Sequence, residues 1–179
     1  MKGKFTTKSL VYGAFFTALV YIFSRFFQIP IVTPFGQTRF HLGNVFCLLA
    51  GITLGKGLGG LSAGLGSAIF DLLDPVYFTA APITFITKFA MAFVAGLIFE
   101  RGSFSKKRLV IANILGQITY VFLYLLQTYI KNRFVMDFTS QAILAELIPK
   151  AGVSLFNALI SVIIASILAL PLLKRINFE

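Results

Sequence analysis

Eight polar side chains lie within or beside long apolar blocks of this sequence, where a polar group is costly and is by default a functional candidate. They are Arg39, His41, Asn44, Asp71, Lys88, Tyr124, Gln127 and Asn157. Arg39 and Lys88 favour a ligand that carries a phosphate, a carboxylate or an electron-rich ring. The imidazole and the amides can supply hydrogen bonds, and Tyr124 can stack on a ring. This chemistry is the noncovalent capture and release of a small molecule.

The depth of these side chains in their blocks suggests that they converge. At a rise of about 1.5 Å per helical residue, Lys88 lies roughly 12 Å below the outer start of its block, and Asn157 lies roughly 10 Å below the start of its own. Tyr124 and Gln127 are three residues apart, so they share a helix face. The candidates come from separate segments but fall in the outer half of a membrane. We therefore predict one cavity that opens to the outside.

Structural roles are open alternatives for several of these residues. Lys88 paired with a carboxylate such as Asp71 would be a structural ion pair, as buried charges generally need a partner. Asn157 could make an interhelical hydrogen bond, Tyr124 could anchor a helix at the interface, and His41 could cap a helix. No cluster of His, Cys and Glu has metal-ligand spacing, and no Ser-His-Asp set is arguable. We therefore expect neither an enzyme nor a bound cofactor or metal.

The composition indicates how these side chains are held. Of 179 residues, 58% are hydrophobic and 12% are charged, whereas soluble domains usually have about 25% charged residues. The mean hydropathy is +0.89. The net charge of +10 does not indicate nucleic-acid binding, because the basic residues cluster between apolar blocks, as in Lys106-Lys107-Arg108. The chain is predicted to be an integral membrane protein.

The apolar blocks predict an all-α membrane protein with six transmembrane helices in a single domain over residues 1–179. The predicted spans are residues 10–27, 41–54, 58–73, 80–99, 109–130 and 150–173. The second and third blocks are shorter than the roughly 20 residues that a straight spanning helix needs. A single re-entrant hairpin is therefore the alternative for these two blocks.

The distribution of basic residues predicts that both termini are cytoplasmic, because cytoplasmic loops carry an excess of Lys and Arg. Six spans place ten basic residues inside: Lys2, Lys4, Lys8, Lys56, Arg101, Lys106, Lys107, Arg108, Lys174 and Arg175. Four lie outside: Arg39, Lys131, Arg133 and Lys150. A re-entrant hairpin would leave the other loops on the same sides of the membrane. The bias in basic residues therefore predicts the orientation of the chain better than it predicts the number of spans.

Small residues in the first block suggest a contact with another protein. Ala14 and Ala18 are four residues apart and share one helix face. Helices in lipid associate closely where small residues let their backbones approach. This stripe could dock a partner, whereas the glycines between residues 51 and 64 are better explained by internal packing.

Taken with these features, the sequence resembles the substrate-binding S component of energy-coupling factor (ECF) vitamin transporters. The matching segments are Ala14-Phe-Phe-Thr-Ala18, Arg39-Phe-His-Leu-Gly-Asn44, Leu48-Leu-Ala-Gly51, Gly66-Ser-Ala-Ile-Phe-Asp71 and Ala81-Pro-Ile-Thr84, followed by Lys88. They are similar to the riboflavin-transporter-type branch, which includes members assigned to hydroxymethylpyrimidine or pyridoxine. The resemblance covers essentially the whole chain.

The resemblance implies a six-helix bundle in a bacterial plasma membrane. It also implies that the outer loop between spans one and two closes over a vitamin-like molecule. It implies that Ala14 and Ala18 meet a transmembrane coupling subunit, which carries two ATPase subunits on its cytoplasmic side. Two other classes compete with it. A self-sufficient secondary transporter or channel would need coupling-ion carboxylates in the spans, and a small membrane enzyme would usually need clustered acidic residues for a metal.

Overall fold

The computed structural model describes residues 6–101 and 104–175, without the side chains of Lys174 and Arg175. The predicted basic positions Lys2 and Lys4 lie outside the described residues. The elements follow the order α1 (Thr7–Arg25), β1 (Gln28–Thr33), β2 (Gly36–His41), α2 (Gly43–Leu72), a 3-10 turn (Phe78–Ala80), α3 (Ala81–Glu100), α4 (Lys106–Ile130), a π-helical turn (Lys131–Val135) and α5 (Ser140–Arg175).

Five helices in the described part of the chain are long and apolar enough to cross a membrane, where the sequence predicts six. They are Thr7–Arg25, Gly43–Leu72, Phe78–Glu100, Lys106–Val135 and Ser140–Leu173. The predicted count of six is not supported, because the second and third predicted spans belong to one helical element, α2.

Helix α2 is sharply broken at Gly55, which has φ 82° and ψ 172°, a conformation that glycine adopts readily and other residues rarely do. The two parts fold back on each other. Cys47 Sγ lies 3.7 Å from Ser67 Oγ, whereas two residues this far apart in a straight helix would be separated by about 30 Å. A Cβ added at Gly59 would collide with the carbonyl oxygen of Ala50. Glycine therefore allows the two arms to pack backbone to backbone.

The prediction of an all-helical fold misses one element, an antiparallel hairpin of β1 and β2. Its register pairs Gln28 with His41 and Thr33 with Gly36. This stretch contains Pro30 and Pro34 and lies between the first two predicted spans, where a loop is predicted. Pro30 is tolerated because a two-stranded ribbon has only edge strands, where a missing backbone donor need not break a ladder.

The bundle is organised around α2, which contributes more buried apolar side chains to the core than any other helix, including Leu48, Leu49 and Ala50. Large apolar side chains on the outside of α4 and α5 are exposed, among them Ile118 and Phe122. An apolar outer surface is what a helix bundle presents to lipid. The hairpin lies at the end of the bundle where α3 begins and α4 ends.

Candidate functional site

A cavity of about 490 Å³ lies between the β1–β2 hairpin and the helices. The hairpin, the second arm of α2, α3, α4 and α5 all contribute to its wall. Seven of the eight predicted site residues line it: Arg39, His41, Asp71, Lys88, Tyr124, Gln127 and Asn157. The eighth, Asn44, lies directly behind the wall, where its Oδ1 accepts a hydrogen bond from Lys88 Nζ. The structure thus brings the predicted residues together, while their contact with a ligand remains a prediction.

Arg39 on β2 is held by two carboxylates and two aromatic rings. Its guanidinium forms an ion pair with Asp71 and a second one with Asp74, with Nη1 3.2 Å from Asp74 Oδ2. The same group lies 4.0 Å from the ring centroid of Phe70 and 3.6 Å from that of Tyr77. Arg39 is therefore fully neutralised, and it ties the hairpin to the outer end of α2.

Lys88 on α3 is buried, with 3% of its surface exposed, and it does not pair with Asp71. Its ammonium donates to Asn44 and lies 3.4 Å from the ring centroid of Tyr120. No described carboxylate lies within ion-pair distance of Lys88 Nζ. The predicted structural alternative for Lys88, a pair with Asp71, is wrong because Arg39 already occupies that carboxylate.

Two tyrosines of α4 form an aromatic wall beside Lys88. The rings of Tyr120 and Tyr124 are stacked with centroids 5.8 Å apart and an interplanar angle of 21°. The hydroxyl of Tyr124 lies 3.0 Å from Thr38 Oγ1 of the hairpin. Tyr124 is thus a cavity residue in contact with β2, and this arrangement differs from the interfacial anchor considered above. The two faces could contact a flat ligand ring.

Glu146 on α5 fastens the tip of the hairpin. Its side chain is 1% exposed. Oε1 accepts a hydrogen bond from Thr33 Oγ1 at 2.8 Å and lies 2.8 Å from Lys150 Nζ, while Oε2 accepts the backbone N–H of Phe35 at 3.0 Å. These bonds hold the hairpin across the cavity opening. The carboxylate of Glu146 and the ammonium of Lys150 neutralise each other.

His41 ends strand β2 and faces the cavity from beneath the hairpin. Its Nδ1 lies 3.4 Å from Ser24 Oγ of α1. Burial lowers the pKa of His41 well below its usual value of 6.5, and the positive charges of Lys88 and Arg39 lower the pKa further. The imidazole is therefore neutral at pH 7, and it can both donate and accept one hydrogen bond.

The two remaining predicted residues, Gln127 and Asn157, both line the cavity. Ser161 Oγ, one turn along the same helix, donates to Asn157 Oδ1 at 3.4 Å. The interhelical hydrogen bond considered for Asn157 is not found among the described residues. Instead, the interhelical bond in this region joins Asn113 Nδ2 to Ser166 Oγ over 3.0 Å.

Sequence reasoning missed Tyr120, Glu146 and Thr38. Tyr120 had a usable signal, because it precedes Tyr124 by four residues and so shares its helix face. Glu146 precedes Lys150 by the same interval, which is favourable for an ion pair on a helix. Thr38 had no such signal, since its contact with Tyr124 depends on where the hairpin folds.

The residues predicted to dock a partner lie away from the cavity. Ala14 and Ala18 are both exposed on α1, whereas Gly13 is buried against Leu58 and Ser62. Two small side chains are thus accessible on the outside of the bundle, beside the exposed side chains of Val11 and Phe15 on the same helix. This accessibility is compatible with docking, which itself remains a prediction.

Comparison with known proteins adds independent findings. Residues 4–177 match the model of the family described as "ECF-type riboflavin transporter, S component". A crystal structure at 2.1 Å of the S component for biotin from an ECF-type ABC transporter is similar in fold, with TM-score 0.56 and 21% identity. That alignment covers 92% of this chain and 94% of the other.

A curated relative from Pyrococcus woesei is described as an uncharacterized protein in a gap 3' region. It is 28% identical over 103 residues, which is 58% of this chain and 66% of the relative. The match thus spans slightly less than two thirds of the relative's length. It adds no functional information.

Proposed function

Since the chain belongs to the family of ECF-type riboflavin transporter S components, we propose that it is the substrate-binding subunit of an ECF-type ABC importer. It captures a water-soluble vitamin or vitamin precursor outside the cell. The observation that best supports this proposal is the cavity of about 490 Å³, whose polar lining comes from the hairpin and from helices α2, α3, α4 and α5. Small-molecule sites typically have volumes of about 300–1,000 Å³.

The substrate is of the size and polarity of hydroxymethylpyrimidine, pyridoxine or a riboflavin-like molecule. Its ring stacks beside Tyr120 and Tyr124, and its polar edges meet His41, Gln127 and Asn157. Arg39 keeps its carboxylate partners and shapes the site, so the direct cationic contact falls to Lys88. No covalent step is involved.

The hairpin acts as the cover of the site. Its tip is bonded to Glu146 and its second strand to Tyr124. Arg39 of the same strand adds ion pairs to Asp71 and Asp74, and Phe40 packs on Phe156 of α5. Opening of the hairpin must break all these contacts, but it leaves the packing between the helices in place. Ligand entry then requires these bonds to break and re-form.

Transport itself is driven by partners: a transmembrane coupling subunit that contacts Ala14 and Ala18, and two cytoplasmic ATPase subunits. In the membrane the two arms of α2 cross separately, which gives six crossings and places both termini in the cytoplasm. The basic residues at the α2 break and between α3 and α4, Lys56 and Lys106 among them, then lie inside, in agreement with the positive-inside rule.

A secondary transporter or channel is the second candidate, but the structure offers it little. The two buried carboxylates of the cavity, Asp71 and Glu146, are each paired with a basic side chain. A coupling ion would have to displace Arg39 or Lys150. Capture by a binding subunit needs no such exchange.

The test is a binding screen on the purified chain in nanodiscs with no ion gradient, with water-soluble vitamins added one at a time. We expect one vitamin to raise the thermal unfolding midpoint and to bind with nanomolar affinity. Asn157→Leu should abolish this binding. Asn113→Leu is the matched control, because Asn113 is equally buried between α4 and α5 but does not line the cavity. Binding that is absent in nanodiscs and appears only in sealed proteoliposomes under an imposed ion gradient would contradict the proposal and favour the second candidate.

A further inference from the structure

We infer that the molecule held in this cavity is an anion and that its negatively charged group, of the size of a carboxylate, binds beside Lys88. This inference rests on the proposed function of the cavity as a capture site and narrows the class of its substrate. It selects an acidic vitamin or a phosphorylated derivative over hydroxymethylpyrimidine, pyridoxine and riboflavin themselves, which carry no acidic group. It depends on the balance of charges around the cavity wall.

Four basic side chains line the cavity: Arg39, Lys88, Lys131 and Lys150. Arg39 is compensated by Asp71 and Asp74, and Lys150 is compensated by Glu146. Lys131 is exposed at the outer end of α4, where water solvates its charge. Lys88 is the one that remains both buried and without a carboxylate in the described part of the chain.

The contacts of Lys88 are those that a cation makes. Its ammonium donates to an amide oxygen, Asn44 Oδ1, and lies over the electron-rich face of Tyr120 at 3.4 Å. Neither partner carries a negative charge. The Arg39–Asp71–Asp74 cluster has one carboxylate in excess, but it forms no ion pair with Lys88, so the ammonium is solvated without a direct counter-ion. A buried charge that lacks a counter-ion is strongly unfavourable, and an anionic ligand would supply that counter-ion.

The position of Lys88 also sets the ligand's orientation. Lys88 is seven residues into α3, so it lies about 10 Å below the start of that helix. The rings of Tyr120 and Tyr124 extend from Lys88 towards the hairpin. The acidic group therefore binds at the inner end of the site, and the ring or chain of the ligand extends outwards along the tyrosines. Thr84 and Thr87, which also line the cavity, precede Lys88 by one turn or less.

The experiment compares ligand pairs that differ mainly in one charged group. The pairs are biotin and biotinamide, nicotinate and nicotinamide, pantothenate and pantothenol, and riboflavin 5'-phosphate and riboflavin. Each is titrated calorimetrically into the protein in nanodiscs. We expect the anionic member of the tightest-binding pair to bind at least tenfold more tightly than its neutral counterpart. Lys88→Met keeps the length and apolar stem of the side chain, and we expect it to remove that preference. Lys131→Met, the matched control at the mouth, should preserve it.

The possible results separate this inference from the proposed function. Tight binding of a neutral member, undiminished in Lys88→Met, would overturn the anion assignment while leaving vitamin capture intact. If none of the eight molecules binds the wild-type chain but hydroxymethylpyrimidine or pyridoxine does, the anion assignment is overturned and vitamin capture stands. If Lys88→Met does not fold, Lys88→Arg retains the charge, and a preserved anion preference in that variant would support the inference.

Discussion

The backbone N–H of Phe35 donates to the buried carboxylate of Glu146 over 3.0 Å, across 111 residues of sequence. Phe35 lies at the turn of the hairpin, and Glu146 lies in the second turn of α5. The same carboxylate also accepts from Thr33. The side chain of Glu146 thus fixes the turn of the hairpin to the helix bundle.

Replacing Glu146 with Gln should loosen the hairpin. The amide keeps one acceptor oxygen but loses the charge that strengthens these bonds, and hydrogen bonds to charged groups contribute about 1.5–3 kcal/mol. We expect backbone amides in residues 28–41 to exchange with deuterium about tenfold faster, as measured by hydrogen-exchange mass spectrometry. Exchange in α2 and α3 should not change.

Glu100→Gln is the control for this variant. Glu100 Oε1 accepts the backbone N–H of Lys56 at 3.0 Å at the opposite end of the bundle. The chemical change is identical, but the hairpin is not involved. If both variants accelerated exchange in the hairpin equally, Glu146 would not be its specific anchor.

Sequence reasoning located the residues that line the cavity better than it predicted the fold around them. A polar side chain in an apolar helix is visible in any sequence, so Lys88 and Asn157 could be located by depth counting alone. Their partners could not be predicted, because partner choice depends on geometry between distant segments. The structural alternative for Lys88 paired it with a carboxylate such as Asp71, but Arg39 of β2 forms the ion pair with that carboxylate.

The errors in the fold have a similar origin. Pro30 and Pro34 suggested a loop, although a ribbon with two edge strands accepts proline. The predicted number of helices depended on residues 43–72. Glycines at positions 51, 55 and 59 allow the chain to reverse its direction there. The apolar pattern of the sequence does not distinguish such a reversal from one long helix. The apolar composition of this segment predicts that it lies in a membrane, whereas the direction of the chain within it depends on close backbone contacts.

Gly59→Ala tests that close contact. The added methyl would collide with the carbonyl oxygen of Ala50 and force the arms of α2 apart. Overpacking of this kind costs about 1–3 kcal/mol. We expect a clearly lower thermal unfolding midpoint in detergent, recorded by circular dichroism.

Gly57→Ala provides the comparison, because a Cβ at Gly57 meets nothing within 4 Å. Both changes lower backbone freedom in the unfolded chain by the same amount. Only the change at position 59 introduces a clash. Equal midpoints for the two variants would refute the backbone contact between the arms.

His41 predicts a dependence of stability on pH. Burial and the charges of Lys88 and Arg39 lower its pKa in the folded protein, whereas in the unfolded chain the pKa is about 6.5. As pH falls below about 6.5, the unfolded state takes up the proton first, so the free energy of unfolding decreases. Above this pH both states are neutral and His41 has no effect.

His41→Gln should therefore flatten part of the acid dependence. Between pH 7.5 and 5.5 we expect the wild type to lose about 1 kcal/mol more than the variant. Unfolding midpoints across this range provide the measurement, and the difference between the two proteins cancels the contribution of carboxylates. If the unfolding midpoints of the two proteins fell in parallel with pH, His41 would not be the group responsible for the acid dependence.

The exposed stripe on α1 predicts how the chain is recruited to its partners. Ala14→Arg or Ala18→Arg places a long charged side chain on a face where close helix contact needs small residues. We expect either variant to lose copurification with the coupling and ATPase subunits while still binding its ligand. Ile118→Arg adds the same charge to an exposed position on α4, and it should retain the complex if the charge alone is harmless. If the Ala14→Arg and Ala18→Arg variants both still copurify with the complete complex, α1 does not form the interface. The coupling subunit would then have to contact another face of the bundle.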